Sequence, residues 1–255
     1  MTQHTNSTDV VIVGGGIAGS ALALVLARRG LEVTVLEQQT EYRDRVRGEV
    51  LVPWGVAEAD ELGILDALRD ASGLYGRRSI SYDEVLPPDV AEATAIDPAR
   101  FLPGVPGPWC AGHPATCQAL STAAEKAGAR YVRGAAQALV TPGRPPRVRY
   151  VLNGAAHDLQ PRLVVGADGR SSMVRSQLGI SLHRADPRCV IAGLLVDDVQ
   201  HGHRTRTPLA RRVRRSLSFR RATGAPDCIR VFCPVSATAM PVRLALPAFS
   251  TTSAA

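Results

Sequence analysis

The alternation of apolar and polar stretches is most regular near the start of the chain. Asp9–Val13 is a short run dominated by valine and isoleucine, a composition typical of a strand buried on both faces of a parallel sheet. Glycines interrupt this run, and an alanine- and leucine-rich stretch over about Ile17–Arg29 then predicts a helix. Leu31–Leu36 is again rich in β-branched residues and predicts a second strand. The pattern predicts a strand–helix–strand unit.

The glycines between the first strand and the helix fit the spacing G-x-G-x-x-G. Gly14 permits a tight turn, Gly16 lets a pyrophosphate approach the backbone, and Gly19 lets helix and strand pack closely. The positive dipole end of the helix points at such a phosphate. Glu37 follows the second strand, where it can accept hydrogen bonds from an adenosine ribose and disfavours a 2′-phosphate. These residues predict a dinucleotide site; the alternative is a glycine-rich turn that binds nothing.

The middle of the chain is less regular. Gln38–Val50 is polar and predicts a solvated connection, whereas Val56–Leu68 and Pro114–Ala127 carry apolar residues at the spacing of a helix face. Between these helices, the proline-rich stretch Gly76–Trp109 predicts turns and short strands outside the dinucleotide fold. Further predicted strands are Arg130–Arg133, Gln137–Thr141, Arg147–Leu152, His157–Leu159 and Cys189–Val196, with a hairpin turn at Asn153-Gly154.

A second candidate site follows the predicted strand Arg162–Val165. The strand runs into Asp168-Gly169, and a polar helix start near Ser171 comes next. In one interpretation the carboxylate and the backbone contact a polar ligand. In the other, Asp168 only caps the helix. The residues alone leave both interpretations open.

Composition and charge exclude several classes of protein. The 45% of hydrophobic residues suffice for a core, and the polar start of the chain lacks a signal peptide, so a cytoplasmic protein without a membrane segment is expected. The five cysteines show no C-x-x-C pairing, which predicts neither a disulfide framework nor a metal site. The net charge of +7 comes from residues 201–255, which hold ten arginines and a single acid, Asp227. Residues 1–200 are mildly acidic, so no nucleic-acid partner is predicted.

The order of three motifs resembles the FAD-dependent aromatic-hydroxylase type of flavoprotein monooxygenase. These motifs are the glycine turn with Glu37, the segment Arg47-Gly48-Glu49, and D-G-x-x-S-x-x-R at Asp168, Gly169, Ser172 and Arg175. The resemblance implies that Glu37 binds the adenosine ribose and that Arg47 lies along the FAD pyrophosphate or ribityl chain. It further implies that Asp168 and Gly169 serve the pyrophosphate region and NAD(P)H binding. His113 takes a helix-start position near the flavin where the family more often has arginine or glutamine.

The same resemblance implies an α/β fold, with a Rossmann-like FAD-binding domain over residues 1–75 and 109–178. Residues 76–108 and 179–200 would begin a β-rich substrate domain, and the C-terminal half is incomplete. The implied chemistry is reduction of FAD by NAD(P)H, followed by reaction with dioxygen to a flavin hydroperoxide that oxygenates an organic, often aromatic, substrate. No side chain is predicted as a catalytic acid or base. Two other functions fit these residues: a flavoprotein reductase or dehydrogenase without oxygen insertion, and a non-catalytic nucleotide-binding remnant.

Residues 201–255 depart from the family pattern. No glycine-aspartate segment, whose aspartate would bind the flavin ribityl chain, follows Asp168. Three interpretations of this basic tail are open: a basic arm for nucleic acid or an anionic surface, a poorly ordered extension, or an out-of-frame translation. We favour the out-of-frame translation because the composition changes abruptly near His201. The single lysine, Lys126, among 30 basic residues also fits a GC-rich coding sequence.

The out-of-frame interpretation makes a prediction about the gene. Reading the coding DNA from about codon 200 in the two other frames will restore a glycine-aspartate motif downstream, because the composition breaks at that point. DNA sequencing checks this prediction. A gene with no such motif in either alternative frame contradicts the interpretation.

Overall fold

The computed structural model describes residues 8–43, 50–77, 79, 81–82, 87–184, 189–196, 215–219 and 227–234. Its helices are α1 (Ile17–Arg28), α2 (Pro53–Glu61), α3 (Leu65–Arg69), α4 (Pro88–Ala93), α5 (His113–Lys126) and α6 (Met173–Gln177), with a 3-10 turn at Pro98–Arg100. Its strands are β1 (Val10–Val13), β2 (Val33–Glu37), β3 (Val50–Leu51), β4 (Leu74–Tyr75), β5 (Ser81–Tyr82), β6 (Trp109–Cys110), β7 (Arg130–Arg133), β8 (Ala136–Thr141), β9 (Arg147–Leu152), β10 (Ala155–Leu159), β11 (Leu163–Gly166), β12 (Cys189–Val196), β13 (Arg215–Phe219) and β14 (Asp227–Pro234).

A parallel sheet of four strands in the order β11-β1-β2-β7 forms the centre of the fold. Val13, the last residue of β1, lies opposite Leu36 of β2 and Gly166 of β11. The chain leaves β1 toward β2 on one side and returns much later to β11 on the other. The strand order therefore reverses at β1, and ligands of open α/β sheets bind at such a switch point, outside the carboxyl ends of the strands.

Both faces of this sheet are covered, which explains why the central strand β1 is apolar and buried on both sides. On one face Ile12 packs with the fully buried Leu24 of α1 and Leu120 of α5. On the other face Val11 joins a second core with Val148, which comes from a three-stranded antiparallel sheet in the order β10-β9-β8. The predicted α/β fold class is confirmed.

Several predicted elements are found close to their expected bounds. Arg130–Arg133, Arg147–Leu152 and Cys189–Val196 are strands with the predicted ends. Asn153 and Gly154 join β9 to β10 with φ angles of 50° and 79°, the left-handed conformations that a two-residue hairpin turn of type I′ requires. The hairpin prediction is therefore confirmed.

The prediction of a single helix over Val56–Leu68 is wrong. The structure has α2 and α3 instead, separated by Gly63 with φ 68°. A residue in this left-handed conformation ends a helix, and the Gly63 N–H donates to the carbonyl of Asp60. The proline-rich excursion also contains α4, which was not predicted. Pro88 lies at the start of that helix, where its missing N–H costs nothing.

The excursion and the basic tail contribute to one antiparallel sheet, in the order β12-β14-β13-β5. The part of the tail that the structure describes supplies β13 and β14. Leu217 and Phe219 alternate with serines in β13, as expected for a strand. The alternation covers only four residues, which is too short to predict a strand from the sequence. The rest of residues 201–255 lies outside the described residues.

Three further observations concern only the described ranges. None of their helices combines the length and the apolar character needed to cross a bilayer. No group of three or more histidine, cysteine or acidic side chains is placed to hold a metal ion within those ranges. Cys110 and Cys117, which the ranges include, are buried free thiols.

Candidate functional site

The glycine turn after β1 lies against the end of β11. Gly14 has φ 104°, and a Cβ atom there would be 2.5 Å from the carbonyl oxygen of Ala167 and 2.8 Å from the Cα of Asp168. The N–H of Ala167 donates to the carbonyl of Val13 at 2.7 Å. A side chain at position 14 would therefore separate the two strand ends. This contact brings the first and the third predicted motif together.

The other two glycines of the motif have different surroundings. A Cβ at Gly19 would overlap the carbonyl oxygen of Gly14, so Gly19 is required for helix–strand packing. A Cβ at Gly16 would meet no atom within 4 Å. Gly16 is the N-cap of α1 and supplies no capping side chain, while the first N–H groups of a helix have no acceptor within it. Open space beside free donors suits an anion.

Glu37 holds the glycine turn from the side of β2. Its Oε2 accepts a hydrogen bond from the N–H of Gly15 at 2.7 Å, and its Oε1 accepts one from the N–H of Gln39 at 2.8 Å. A Cβ at Gly15 would be 3.0 Å from the Cβ of Glu37, so this glycine is also needed for close approach. Each carboxylate oxygen has a second lone pair, which leaves acceptor positions for two ribose hydroxyls.

The carbonyl of Gly15 is held by two hydroxyl groups. Ser20, which is fully buried in α1, donates to this oxygen at 2.8 Å, and the phenol of Tyr42 donates to it at 2.8 Å. Burial raises the pKa of Tyr42, so its hydroxyl remains protonated at neutral pH. The sequence did not predict a role for Tyr42 or Ser20. Tyr42 lies in the polar connection after β2, and no local pattern marks such a contact.

Tyr131 and Arg133 of β7 lie next to Glu37 in the sheet. A Cβ at Gly15 would be 3.3 Å from the ring of Tyr131, so this ring packs beneath the turn. The guanidinium of Arg133 lies 4.9 Å from the ring centroid and forms two hydrogen bonds with Glu125, at 2.6 and 3.0 Å. Burial raises the pKa of Tyr131. Neither residue was predicted from the sequence.

Asp168 caps α6. One of its oxygens accepts from the hydroxyl of Ser172 at 2.5 Å, and the other accepts from the N–H groups of Met173 and Val174 at 2.6 and 3.1 Å. The helix begins at Met173, two residues after the predicted start. Gly169 has φ 86°, and a Cβ there would meet nothing within 4 Å. The capping interpretation describes the contacts of Asp168, and a ligand role for it stays a prediction.

His113 is the first residue of α5, at the predicted helix start. Its Nε2 lies 3.6 Å from the sulfur of Cys117. Burial, reinforced by the negative charge of Glu37, raises the pKa of the Cys117 thiol to about 12. Arg47 lies outside the described residues, so its predicted position beside FAD stays a prediction.

The arrangement suits a dinucleotide such as FAD. The crevice combines the amino end of α1 and the open side of Gly16 with the spare lone pairs of Glu37. A diphosphate needs donors and an open approach, and a ribose needs hydrogen-bond acceptors. The residues present therefore fit the adenosine diphosphate half of FAD.

Comparison with known proteins agrees with this geometry. The chain is 34% identical over 194 residues to 6-methylpretetramide 4-monooxygenase of Streptomyces rimosus, which covers 70% of this chain and 42% of that protein. It is 47% identical over 72 residues to squalene monooxygenase SE1 of Panax ginseng, or 28% of this chain and 13% of that protein. The crystal structure of p-nitrophenol 4-monooxygenase PnpA from Pseudomonas putida shares its fold, with a TM-score of 0.70 at 19% identity over 92% of this chain and 59% of PnpA.

The chain spans less than half the length of these two curated relatives. Its resemblance to FAD-dependent monooxygenases, inferred from the three motifs, is confirmed. Residues 7–207 match the family described as FAD binding domain, and this range contains the glycine turn, Glu37 and Asp168. Because the match includes most of the sequence and the whole parallel sheet, the chain belongs to the FAD binding domain family.

Proposed function

We propose that this chain is the FAD-binding portion of an NAD(P)H-dependent monooxygenase that acts on a small organic substrate. The observation that carries the proposal is the glycine turn at the switch point of the sheet. There Gly14 packs against Ala167 and the side of Gly16 is open. The named relatives are monooxygenases by their descriptions, which supports the reaction class.

The residues on the β2 side hold the nucleotide half of FAD. The amino end of α1 and the open side of Gly16 receive the pyrophosphate, and Glu37 accepts hydrogen bonds from the ribose hydroxyls. The charge of Glu37 repels a 2′-phosphate, so this position is suited to FAD rather than to NADPH.

The flavin half lies toward β11 in this proposal. Asp168 and Gly169 follow β11, on the opposite side of the glycine turn from Glu37. We place His113 near the flavin and Arg47 along the pyrophosphate or ribityl chain. Asp168 and Gly169 serve the pyrophosphate region and NAD(P)H binding. When bound, FAD supplies the redox chemistry, which is hydride acceptance from NAD(P)H and activation of dioxygen. The protein binds and orients the cofactor and keeps water from the reacting atoms.

A combined binding and turnover assay tests the proposal. The chain is expected to purify colourless or faintly yellow and to show at most NAD(P)H oxidation that yields hydrogen peroxide, because no glycine-aspartate segment follows Asp168. The product of the frame-corrected gene is expected to bind FAD stoichiometrically and to hydroxylate a compound from an aromatic panel. Absorbance at the flavin band, oxygen uptake and chromatography measure these properties.

Three outcomes of this assay contradict parts of the proposal. FAD reduction without oxygen uptake in the frame-corrected protein would assign a reductase or dehydrogenase. Failure of both proteins to bind FAD would leave a non-catalytic remnant. Stoichiometric FAD and substrate hydroxylation by the 255-residue chain itself would overturn the out-of-frame interpretation.

The glycine motif gives a paired prediction. Gly16→Val places a branched side chain in the open space where the pyrophosphate must approach, so ADP binding should be lost while the melting temperature changes by no more than about 4 °C. Gly19→Ala must push against the carbonyl of Gly14, so it should lower the melting temperature by more than about 4 °C. Calorimetry and thermal unfolding measure the two effects. If Gly16→Val binds ADP as tightly as wild type does, the pyrophosphate does not approach Gly16 and the proposed site is contradicted.

Glu37 can be tested with two ligands. Glu37→Ala should weaken ADP binding by about 1.5–3 kcal/mol, the range for a hydrogen bond to a charged group. It should also improve binding of the 2′-phosphate derivative of ADP relative to ADP. Titration calorimetry with both ligands measures this, and Glu58→Ala, on the exposed side of α2, is the charge-matched control. Equal losses for both ligands would mean that Glu37 only holds the Gly15 turn.

A further inference from the structure

The peptide group between Gly15 and Gly16 is held firmly on its carbonyl side. The oxygen of Gly15 accepts hydrogen bonds from Ser20 and from Tyr42, both at 2.8 Å. A carbonyl oxygen has two lone pairs, so these hydroxyls use its full acceptor capacity. The two donors come from different parts of the chain: Ser20 lies in α1, whereas Tyr42 lies in the connection after β2.

The geometry of a trans peptide relates this carbonyl to the ligand side of the turn. Within one planar peptide group, the C=O and the N–H point in opposite directions. Fixing the Gly15 carbonyl toward Ser20 and Tyr42 therefore directs the N–H of Gly16 away from them. A Cβ at Gly16 meets no atom within 4 Å, so this residue lies beside open space.

Glycine itself does not hold this orientation. Residues 14–16 are all glycine, and glycine populates a far wider range of φ and ψ than other residues. A peptide between two glycines can rotate at little steric cost. The hydrogen bonds to its carbonyl therefore add to the bond between Glu37 and the N–H of Gly15 in fixing which way the N–H of Gly16 points.

We propose that Tyr42 is a positioning residue of this crevice, whose hydroxyl holds the Gly15 carbonyl and so aims the N–H of Gly16 at the diphosphate of a bound adenine nucleotide. This inference rests on the proposed nucleotide-binding function and names a residue that the motif does not contain. Tyr42 acts through the backbone of Gly15 and Gly16 and needs no contact with the nucleotide. Through this hydrogen bond, the connection after β2 contacts the phosphate-binding turn.

The surroundings of Tyr42 support this role. The phenol is partly buried near Ser20, Ser121 and Cys117, and burial raises its pKa. The hydroxyl therefore keeps its proton, and its ability to donate, over the physiological pH range. Tyr131 packs beneath the same turn, so it belongs to the crevice and cannot serve as a control. Tyr150 of β9, on the three-stranded antiparallel sheet, offers a phenol outside the turn for comparison.

Ligand binding to three proteins tests the proposal: wild type, Tyr42→Phe and Tyr150→Phe. The probes are ADP, which carries the diphosphate, and adenosine, which does not. In Tyr42→Phe the ADP affinity should fall about three- to tenfold, the effect of one hydrogen bond, while adenosine affinity should change less than about twofold. Tyr150→Phe should leave both affinities unchanged, because its phenol lies on the three-stranded sheet and not at the glycine turn. Calorimetry measures ADP and NMR titration measures adenosine.

The outcomes separate this inference from the proposed function. Unchanged ADP affinity in Tyr42→Phe, or equal losses for ADP and adenosine, contradicts a role in aiming the turn. A wild-type chain that binds neither ligand overturns nucleotide binding itself before any variant is compared. If Tyr42→Phe does not fold, Ser20→Ala removes the other donor to the same carbonyl and should give the same selective loss of ADP affinity. Equal affinity of Ser20→Ala and wild type for ADP would then overturn the proposal.

Discussion

The turn after β1 can lie at the switch point of the sheet only because Gly14 carries no side chain. A Cβ there would be 2.5 Å from the carbonyl oxygen of Ala167, a separation that neither backbone can accommodate without moving. This contact joins two chain segments that lie far apart in the sequence. It places Asp168 beside the turn. The geometry of the crevice depends on it.

The hydrogen bonds around Gly15 complete what this contact begins. A run of three glycines would be mobile by itself, yet Glu37 holds the N–H of Gly15 while Ser20 and Tyr42 hold its carbonyl. A turn ordered before the ligand arrives reduces the entropy lost on binding. The same carboxylate thus has two functions in this account, since Glu37 orients the turn and offers its spare lone pairs to a ribose.

The features that the sequence predicted are those encoded within a few residues. The glycine spacing, the hairpin at Asn153-Gly154 and the position of Glu37 depend on local chain geometry, so they could be found without the fold. The contact of Tyr42 with Gly15 could not, because it depends on how a polar connection folds back over the turn. The break at Gly63 was missed because apolar residues continue at helical spacing across it. The positive φ angle that ends the helix does not change that spacing.

A backbone NMR titration of the chain with ADP measures directly whether the glycine turn is the nucleotide site. The account predicts that the largest amide shifts fall on residues 16–18 and on Gln39, whose N–H shares the carboxylate of Glu37. It predicts small shifts in the hairpin that carries the Arg149–Asp158 ion pair, on the three-stranded sheet. Shifts centred on that hairpin, or no saturable shifts at residues 16–18, would contradict the central claim.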